Sequence, residues 1–177
     1  WIPALAGKMD MIPGRSNVMS LEKVLPAAGR AEVISGQTGE TLAFVNGIHR
    51  NSLLGFAVAG GGDIDNDGFD DVAVSAPAWI EYAYPYVAIL YGPDGTRRGD
   101  IRADRIDGYF GYSLALADVN SDSHADIIVG IPMQDNSMLD MPDTGSTRIY
   151  SGTRNEILAE FYGETAGTHA GVSVTAA

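Results

Sequence analysis

The sequence DIDNDGFDDVAVSAP occupies residues 63–77, and the similar sequence DVNSDSHADIIVGIP occupies residues 118–132. Each begins with closely spaced acidic residues and continues into an apolar segment that ends at a proline. Short apolar segments that are bounded by turn residues and stopped by proline are typical of buried β-strands. The sequence therefore predicts the same unit twice, an acidic loop that leads into a strand.

A repeat of glycines extends to both sides of this unit. A Ser-Gly or Tyr-Gly pair follows a β-branched or aromatic run three times, and another glycine comes 19 residues after each, giving the pairs Gly36 and Gly55, Gly92 and Gly111, and Gly152 and Gly171. The second glycines of successive pairs are 56 and then 60 residues apart. This period suits four-stranded propeller blades joined by loops, and it fits helical solenoid repeats less well.

Further segments complete four predicted strands in each blade. Alternating segments that follow the second glycine of each pair predict strands at residues 56–59, 112–115 and 172–175. Segments that follow the Ser-Gly or Tyr-Gly turn predict outer strands at residues 40–45, 100–106 and 156–161. The sequence thus predicts an all-β fold, a partial β-propeller of four-stranded antiparallel blades with calcium loops between strands.

The repeat divides the chain into two parts. Residues 1–32 carry only a weak trace of the pattern and are predicted to be an N-terminal segment or a degenerate blade. Residues 33–177 are predicted to hold the outer part of one blade, two nearly complete blades and the start of the next. Because two blades cannot close a ring, we expect either a fragment of a longer chain or a propeller completed by other segments or subunits.

The first acidic loop, residues 63–71, places an oxygen donor at every second residue. Its predicted ligands are four carboxylates and one backbone carbonyl, from Asp63, Asp65, Asp67, Phe69 (the carbonyl) and Asp71. Ca²⁺ takes about six to eight oxygen ligands, and this set supplies most of them. Carboxylates packed this closely repel one another unless a cation neutralises them. We therefore predict a calcium site, and an acidic turn that holds no metal is the alternative.

The second acidic loop, residues 118–126, repeats the spacing. Its predicted ligands are Asp118, Asn120, Asp122, His124 (the carbonyl) and Asp126. One carboxylate is thus replaced by the neutral amide of Asn120. At the sixth position Ser123 replaces Gly68, the residue type that adopts a left-handed backbone at low cost. We predict a second calcium site, in a loop that is strained or has a lower affinity.

An EF-hand is the main rival interpretation of these loops. Its calcium loop needs a bidentate glutamate at position 12 and lies between two amphipathic helices. Position 12 is Val74 in the first loop and Val129 in the second, and the flanking segments are strand-like. EF-hand and dockerin interpretations are therefore excluded.

Composition excludes several classes of function. The chain carries 23 acidic and 11 basic side chains, and a net charge of −12 argues against nucleic acid as a partner. It has no cysteine, so disulfides and Cys-ligated zinc are ruled out. No run of about 18 or more apolar residues is present, so the sequence predicts no membrane-spanning helix. The acidic excess favours cations.

The sequence resembles the FG-GAP repeat family, which is found in the propellers of integrin α subunits and in many bacterial surface proteins. Phe110-Gly111 stands as the FG, residues 118–126 as the cation loop, and residues 130–132, Gly-Ile-Pro, as the GAP with one substitution. The other copy departs further, with Leu54-Gly55 at its start and Ser-Ala-Pro at residues 75–77. The resemblance covers about residues 33–177.

This resemblance implies blades around a central axis with Ca²⁺ in loops on one rim, and a surface or secreted protein of bacterial type. It implies an extracellular or cell-surface location and no enzymatic activity of these blades. We expect an adhesion or recognition module that binds a protein or glycan partner. The alternatives are a non-catalytic accessory propeller of a secreted hydrolase or lyase, and a structural subunit of a surface assembly.

Overall fold

A computed structural model of the chain describes residues 27–77, 84–92, 94–105 and 108–176. The N-terminal segment predicted at residues 1–32 therefore lies mostly outside the described residues. The described residues form ten β-strands, namely β1 (Arg30–Ile34), β2 (Thr41–Asn46), β3 (Val58–Gly62), β4 (Asp71–Ala76), β5 (Tyr86–Tyr91), β6 (Thr96–Arg102), β7 (Ser113–Ala117), β8 (Asp126–Ile131), β9 (Ser146–Tyr150) and β10 (Ile157–Tyr162). No helix that could cross a membrane occurs in this described part of the chain.

The strands form one hairpin and two four-stranded sheets. Strands β1 and β2 pair as an antiparallel hairpin, called here the leading hairpin. Strands β3 to β6 form the first sheet and β7 to β10 form the second sheet, each in sequence order with antiparallel pairing throughout. The predicted all-β fold of four-stranded antiparallel sheets is confirmed.

The first sheet is covered on both faces, and its central strand β5 is apolar or aromatic along its whole length. In β5, Val87 and Ile89 point into a core shared with the second sheet. Their neighbours Tyr86, Ala88 and Leu90 point into a core shared with the leading hairpin. Side chains alternate between the two faces of a strand, so a strand buried on both faces is a continuous apolar run.

Phe110, the aromatic residue of the FG pair, lies in the core between the two sheets. Its side chain is 1% exposed and packs edge-on against Tyr150, with ring centroids 6.0 Å apart. The next residue, Gly111, has φ of +84°, and a Cβ there would come within 2.7 Å of the Cβ of Ser75. The FG pair thus joins the second sheet to the first, with glycine at a point of close approach.

The first strands of the two sheets, β3 and β7, pack beside each other. Each acidic loop follows one of these strands, so both loops lie at the same end of the sheets. The opposite ends of β3 and β7 begin just after Gly55 and Gly111. The fold therefore separates a rim of acidic loops from a rim of FG turns.

Two strand predictions were wrong. The strand predicted at residues 100–106 begins earlier, as β6 over Thr96–Arg102, because the turn falls at Gly95, whose φ is +65°. A Cβ at Gly95 would overlap the side chain of Ala43 in the leading hairpin, which makes glycine necessary at this turn. Residues 172–175 form no strand, since they pair with none of the described strands.

Candidate metal centre

Both acidic loops connect the first and second strands of a sheet. The first loop joins β3 to β4 and the second loop joins β7 to β8. The last acidic residue of each loop is also the first residue of the following strand, at Asp71 and Asp126. Both of these carboxylate-bearing residues are fully buried. Each loop is thus anchored at its end by the sheet itself.

In the first loop, Asp63 organises the turn that follows it. Its Oδ1 accepts a hydrogen bond from the backbone N–H of Asp67 at 3.1 Å, and its Oδ2 accepts one from Gly68 at 2.8 Å. The carboxylate of Asp67 in turn accepts the N–H of Phe69 at 2.9 Å. These hydrogen bonds lie within the protein itself, and they curl the loop around its acidic side chains.

Asp71 closes the loop from the other end. Its Oδ2 accepts the backbone N–H of Ile64 at 2.7 Å, and its Oδ1 accepts that of Gly92 at 2.8 Å. Burial raises the pKa of this carboxyl above its usual value, and the nearby charges of Asp65 and Asp63 add to that rise. The two N–H donors oppose it without cancelling it. The ionised form of Asp71 therefore gains from a nearby positive charge.

Three of the predicted ligands of the first loop come together. Carboxylate oxygens of Asp63, Asp65 and Asp71 all lie within 4.8 Å of one another. Asp67 is exposed and lies outside this cluster, with its carboxylate turned to the N–H of Phe69. The structure thus brings positions 1, 3 and 9 of the loop to a common point.

The second loop has the same hydrogen-bond pattern as the first. Asp118 accepts the N–H of Asp122 at 3.1 Å and of Ser123 at 2.8 Å, and Asp122 accepts the N–H of His124 at 2.9 Å. Desolvation acts to raise the pKa of Asp118, but the hydrogen bonds from backbone N–H groups outweigh it and lower the pKa below its usual value. The carboxylate of Asp118 is therefore held ionised by the loop.

The left-handed backbone expected at the sixth position of the loop is present in both copies. Gly68 has φ of +91° and Ser123 has φ of +68°. For a residue with a side chain this conformation costs roughly 1–2 kcal/mol. The second loop therefore keeps the shape of the first at the expense of strain in Ser123.

The second loop differs from the first in its charge. The positions that correspond to Asp63, Asp65 and Asp71 are Asp118, Asn120 and Asp126. The amide of Asn120 donates to Oδ2 of Asp122 at 3.1 Å and accepts the N–H of the same residue at 2.9 Å. A neutral group thus occupies the position where the first loop has a third carboxylate.

Sequence reasoning missed the part that two repeated glycines play at these loops. Asp126 accepts the backbone N–H of Val119 at 3.0 Å and that of Gly152 at 3.2 Å, as Asp71 does from Ile64 and Gly92. Both glycines belong to the repeat of Ser-Gly and Tyr-Gly pairs, so the signal was present in their constant spacing. The role of these glycines could be recognised only from the structure, which places the turns after β5 and β9 beside the acidic loops.

The similarity of this chain to known proteins lies in the two copies of the repeat. A family model for the FG-GAP repeat matches residues 54–89 and 110–151, and each match contains one acidic loop. The chain is 34% identical to integrin alpha-5 of Xenopus laevis and 36% identical to integrin alpha-V of Gallus gallus, over 83 residues in both cases. Those matches cover 47% of this chain and 8% of each relative.

A longer match links the chain to integrin alpha-E of Mus musculus. The two are 35% identical over 130 residues, which is 66% of this chain and 10% of that relative. The matched segments thus span a tenth or less of the length of these relatives.

Proposed function

Because residues 54–89 and 110–151 are FG-GAP repeats similar to those of integrin α subunits, we propose that the chain is a calcium-stabilised adhesion or recognition module. It acts outside the cell or on its surface, where calcium in the millimolar range fills even weak sites. The observation that carries the proposal is the cluster of three carboxylates, held by a hydrogen-bond pattern that recurs in the second loop.

The donor set of the first loop fits calcium. Oxygens that each lie about 2.3–2.6 Å from one Ca²⁺ are at most about 5 Å apart. The oxygens of Asp63, Asp65 and Asp71 meet this condition, since they lie within 4.8 Å of one another. Oxygen-only ligation suits calcium, because Mg²⁺ requires near-ideal octahedral geometry and retains its waters.

We assign the ligands as the sequence predicts them, and this set includes Asp67 although its carboxylate lies outside the cluster of Asp63, Asp65 and Asp71. They are Asp63, Asp65, Asp67, the Phe69 carbonyl and Asp71 in the first site, and Asp118, Asn120, Asp122, the His124 carbonyl and Asp126 in the second. A bound cation supplies positive charge that offsets the repulsion among the carboxylates. Each loop begins after one strand and ends in the next, so occupied sites hold neighbouring strands of a sheet in a fixed register.

The recognition surface in this proposal is the rim of FG turns, opposite the acidic loops. Phe56 precedes β3 and Tyr112 precedes β7, and their rings pack with centroids 5.2 Å apart. Tyr109 extends the cluster, with its ring centroid 6.4 Å from that of Tyr112. Phe56 is 48% exposed and Tyr112 is 37% exposed. Exposed aromatic clusters of this kind suit a protein or glycan partner.

The recognition role is tested by binding of the purified chain to a glycan array and to a panel of extracellular matrix proteins. We expect a defined target that is bound in calcium and lost in chelator. Replacing Phe56 and Tyr112 together by Ser should also abolish binding, whereas Phe161→Ser, at a 60% exposed position on β10, should not. Absence of any target, or a target bound equally in chelator and by the double variant, contradicts the proposal.

A further inference from the structure

The second acidic loop reaches across the boundary between the sheets and contacts the first. The backbone N–H of Ala125 donates to the carbonyl oxygen of Asp63 at 2.8 Å. The ring Nδ1 of His124 lies 2.9 Å from the carbonyl oxygen of Ile64. Positions 7 and 8 of one loop are thus bonded to positions 1 and 2 of the other.

The direction of the histidine bond follows from its partner. A carbonyl oxygen only accepts, so Nδ1 of His124 carries the proton and donates to Ile64. The side chain of His124 is half-buried between the loops, and that of Ile64 is fully buried in the core between the sheets. The bond therefore joins the second loop to a point of the first loop that is itself fixed.

Ile64 transmits this contact to the carboxylates of the first loop. Its N–H donates to Asp71 at 2.7 Å, while its carbonyl accepts from His124. The preceding residue, Asp63, accepts the N–H of Ala125 through its carbonyl and holds the turn of the first loop through its carboxylate. A displacement of His124 and Ala125 therefore displaces two of the three clustered carboxylates.

The backbone of His124, in contrast to its ring, is hydrogen-bonded within the second loop. Its backbone N–H donates to Asp122 at 2.9 Å, and its carbonyl is one of the proposed calcium ligands. The corresponding residue of the first loop is Phe69, whose side chain has no hydrogen-bond donor and is 53% exposed. The side-chain link is therefore a property of His124 and not of the loop type.

We propose that the His124 imidazole is a positioning residue for the first calcium site, and that it couples calcium binding in the two loops. This inference rests on the proposed calcium sites. Calcium in the second loop fixes the backbone of His124, and the ring then holds Ile64 and Asp71 in their binding geometry. By linkage, calcium in the first loop strengthens binding in the second by the same factor.

The test is isothermal titration with CaCl₂ of the chelator-treated chain, with and without Asp122→Ala to disable the second loop. We expect the first loop to bind calcium about fivefold or more weakly when the second loop is disabled, the lower end of common coupling strengths. His124→Ala should remove this difference. His124→Asn should restore it, since the amide nitrogen of Asn takes the place of Nδ1 as a donor.

His169→Ala is the matched control, because its Nδ1 also contacts a carbonyl oxygen, that of Pro132 at 3.2 Å, which follows the end of β8 that is opposite the second acidic loop. It should leave the coupling unchanged. If the chain binds no calcium, the proposed function fails and this inference fails with it. If calcium binds but Asp122→Ala leaves the first loop's affinity unchanged, or the coupling survives in His124→Ala, only the inference is overturned.

Discussion

The backbone N–H of Gly92 donates a 2.8 Å hydrogen bond to the carboxylate of Asp71, which joins the turn after β5 to the end of the first acidic loop. Gly152 and Asp126 repeat this relationship in the second sheet at 3.2 Å. A Cβ on Gly152 would overlap the carbonyl of Ala125. Gly92 and Gly152 therefore mark the points where a turn backbone approaches an acidic loop.

Replacing Gly92 by Ala should destabilise the first sheet. A Cβ there would lie 2.8 Å from the Cβ of Phe69 and 2.9 Å from the carbonyl oxygen of Asp70, so the turn must move away from Asp71. Overpacking of this kind costs about 1–3 kcal/mol of unfolding free energy. Urea denaturation measures the loss.

Gly36 provides the matched control for this change. It occupies the same place in the repeat, in the leading hairpin, but a Cβ there would meet nothing within 4 Å. Gly36→Ala should therefore change the unfolding free energy by no more than about 0.5 kcal/mol. Equal effects of the two substitutions would show that contact with the acidic loop is not what makes glycine necessary at position 92.

The contact between Asp104 and Arg148 should make stability depend on pH in the acidic range. Arg148 is 5% exposed in its side chain and bonds Asp104 at 2.8 Å and Glu160 at 2.6 Å, which links the end of β6 to the second sheet. Desolvation acts to raise the pKa of Asp104, but the hydrogen bond and charge of Arg148 outweigh it and lower the pKa. The ionised carboxylate is therefore the form that stabilises the fold.

A lowered pKa in the folded state contributes stability above the unfolded pKa, and this contribution is lost as the pH falls through the folded pKa. The wild type should exceed Asp104→Asn in unfolding free energy by a constant amount above about pH 5, and the excess should shrink toward about pH 2. Urea denaturation across this range in chelator measures it, with Asp140→Asn as the control for loss of an exposed carboxylate. An excess that persists at the acid end would contradict the assignment.

Exchanging the third-position residues should exchange the strengths of the two calcium sites. Asn120→Asp gives the second loop the carboxylate that the first loop has at this position, and Asp65→Asn removes that carboxylate from the first loop. We expect Asn120→Asp to tighten calcium binding in the second loop by about tenfold, because ligand charge tunes affinity in such loops. Asp65→Asn should weaken the first loop by a similar factor.

Without calcium, Asn120→Asp should have the opposite effect and lower the stability of the fold. Asn120→Asp removes the amide donor to Asp122 and adds a negative charge beside it. The melting temperature of the variant in chelator should therefore fall below that of the wild type, and in calcium it should rise above it. Scanning calorimetry distinguishes these results. A change of the same sign in both conditions would mean that the third position is not a ligand.

The loops could be predicted from sequence because the contacts that shape them are local. Asp63 bonds the N–H groups of residues 67 and 68, and Asp118 does the same at residues 122 and 123, so the spacing of the acidic residues determines the turn. The sixth-position requirement for a left-handed backbone was likewise visible as Gly68. Whether these residues bind calcium stays a prediction.

Contacts between sheets could not be predicted in this way. His124 and Ile64 are 60 residues apart, and Arg148 and Asp104 are 44 residues apart. Their meeting depends on how the second sheet packs on the first, which no local pattern specifies. The start of β6 was misplaced for a local reason, because Asp94-Gly95 is a turn signal that places the strand start directly after it.

The most direct measurement is isothermal titration of the chelator-treated chain with CaCl₂, paired with scanning calorimetry in calcium and in chelator. We expect two ions per chain and a higher melting temperature in calcium, since a ligand at about a hundred times its dissociation constant adds about 2.7 kcal/mol to stability. Asp67→Ala should weaken the first site, whereas Glu164→Gln at an exposed position outside the loops should match the wild type. No binding heat together with an unchanged melting temperature would contradict the account.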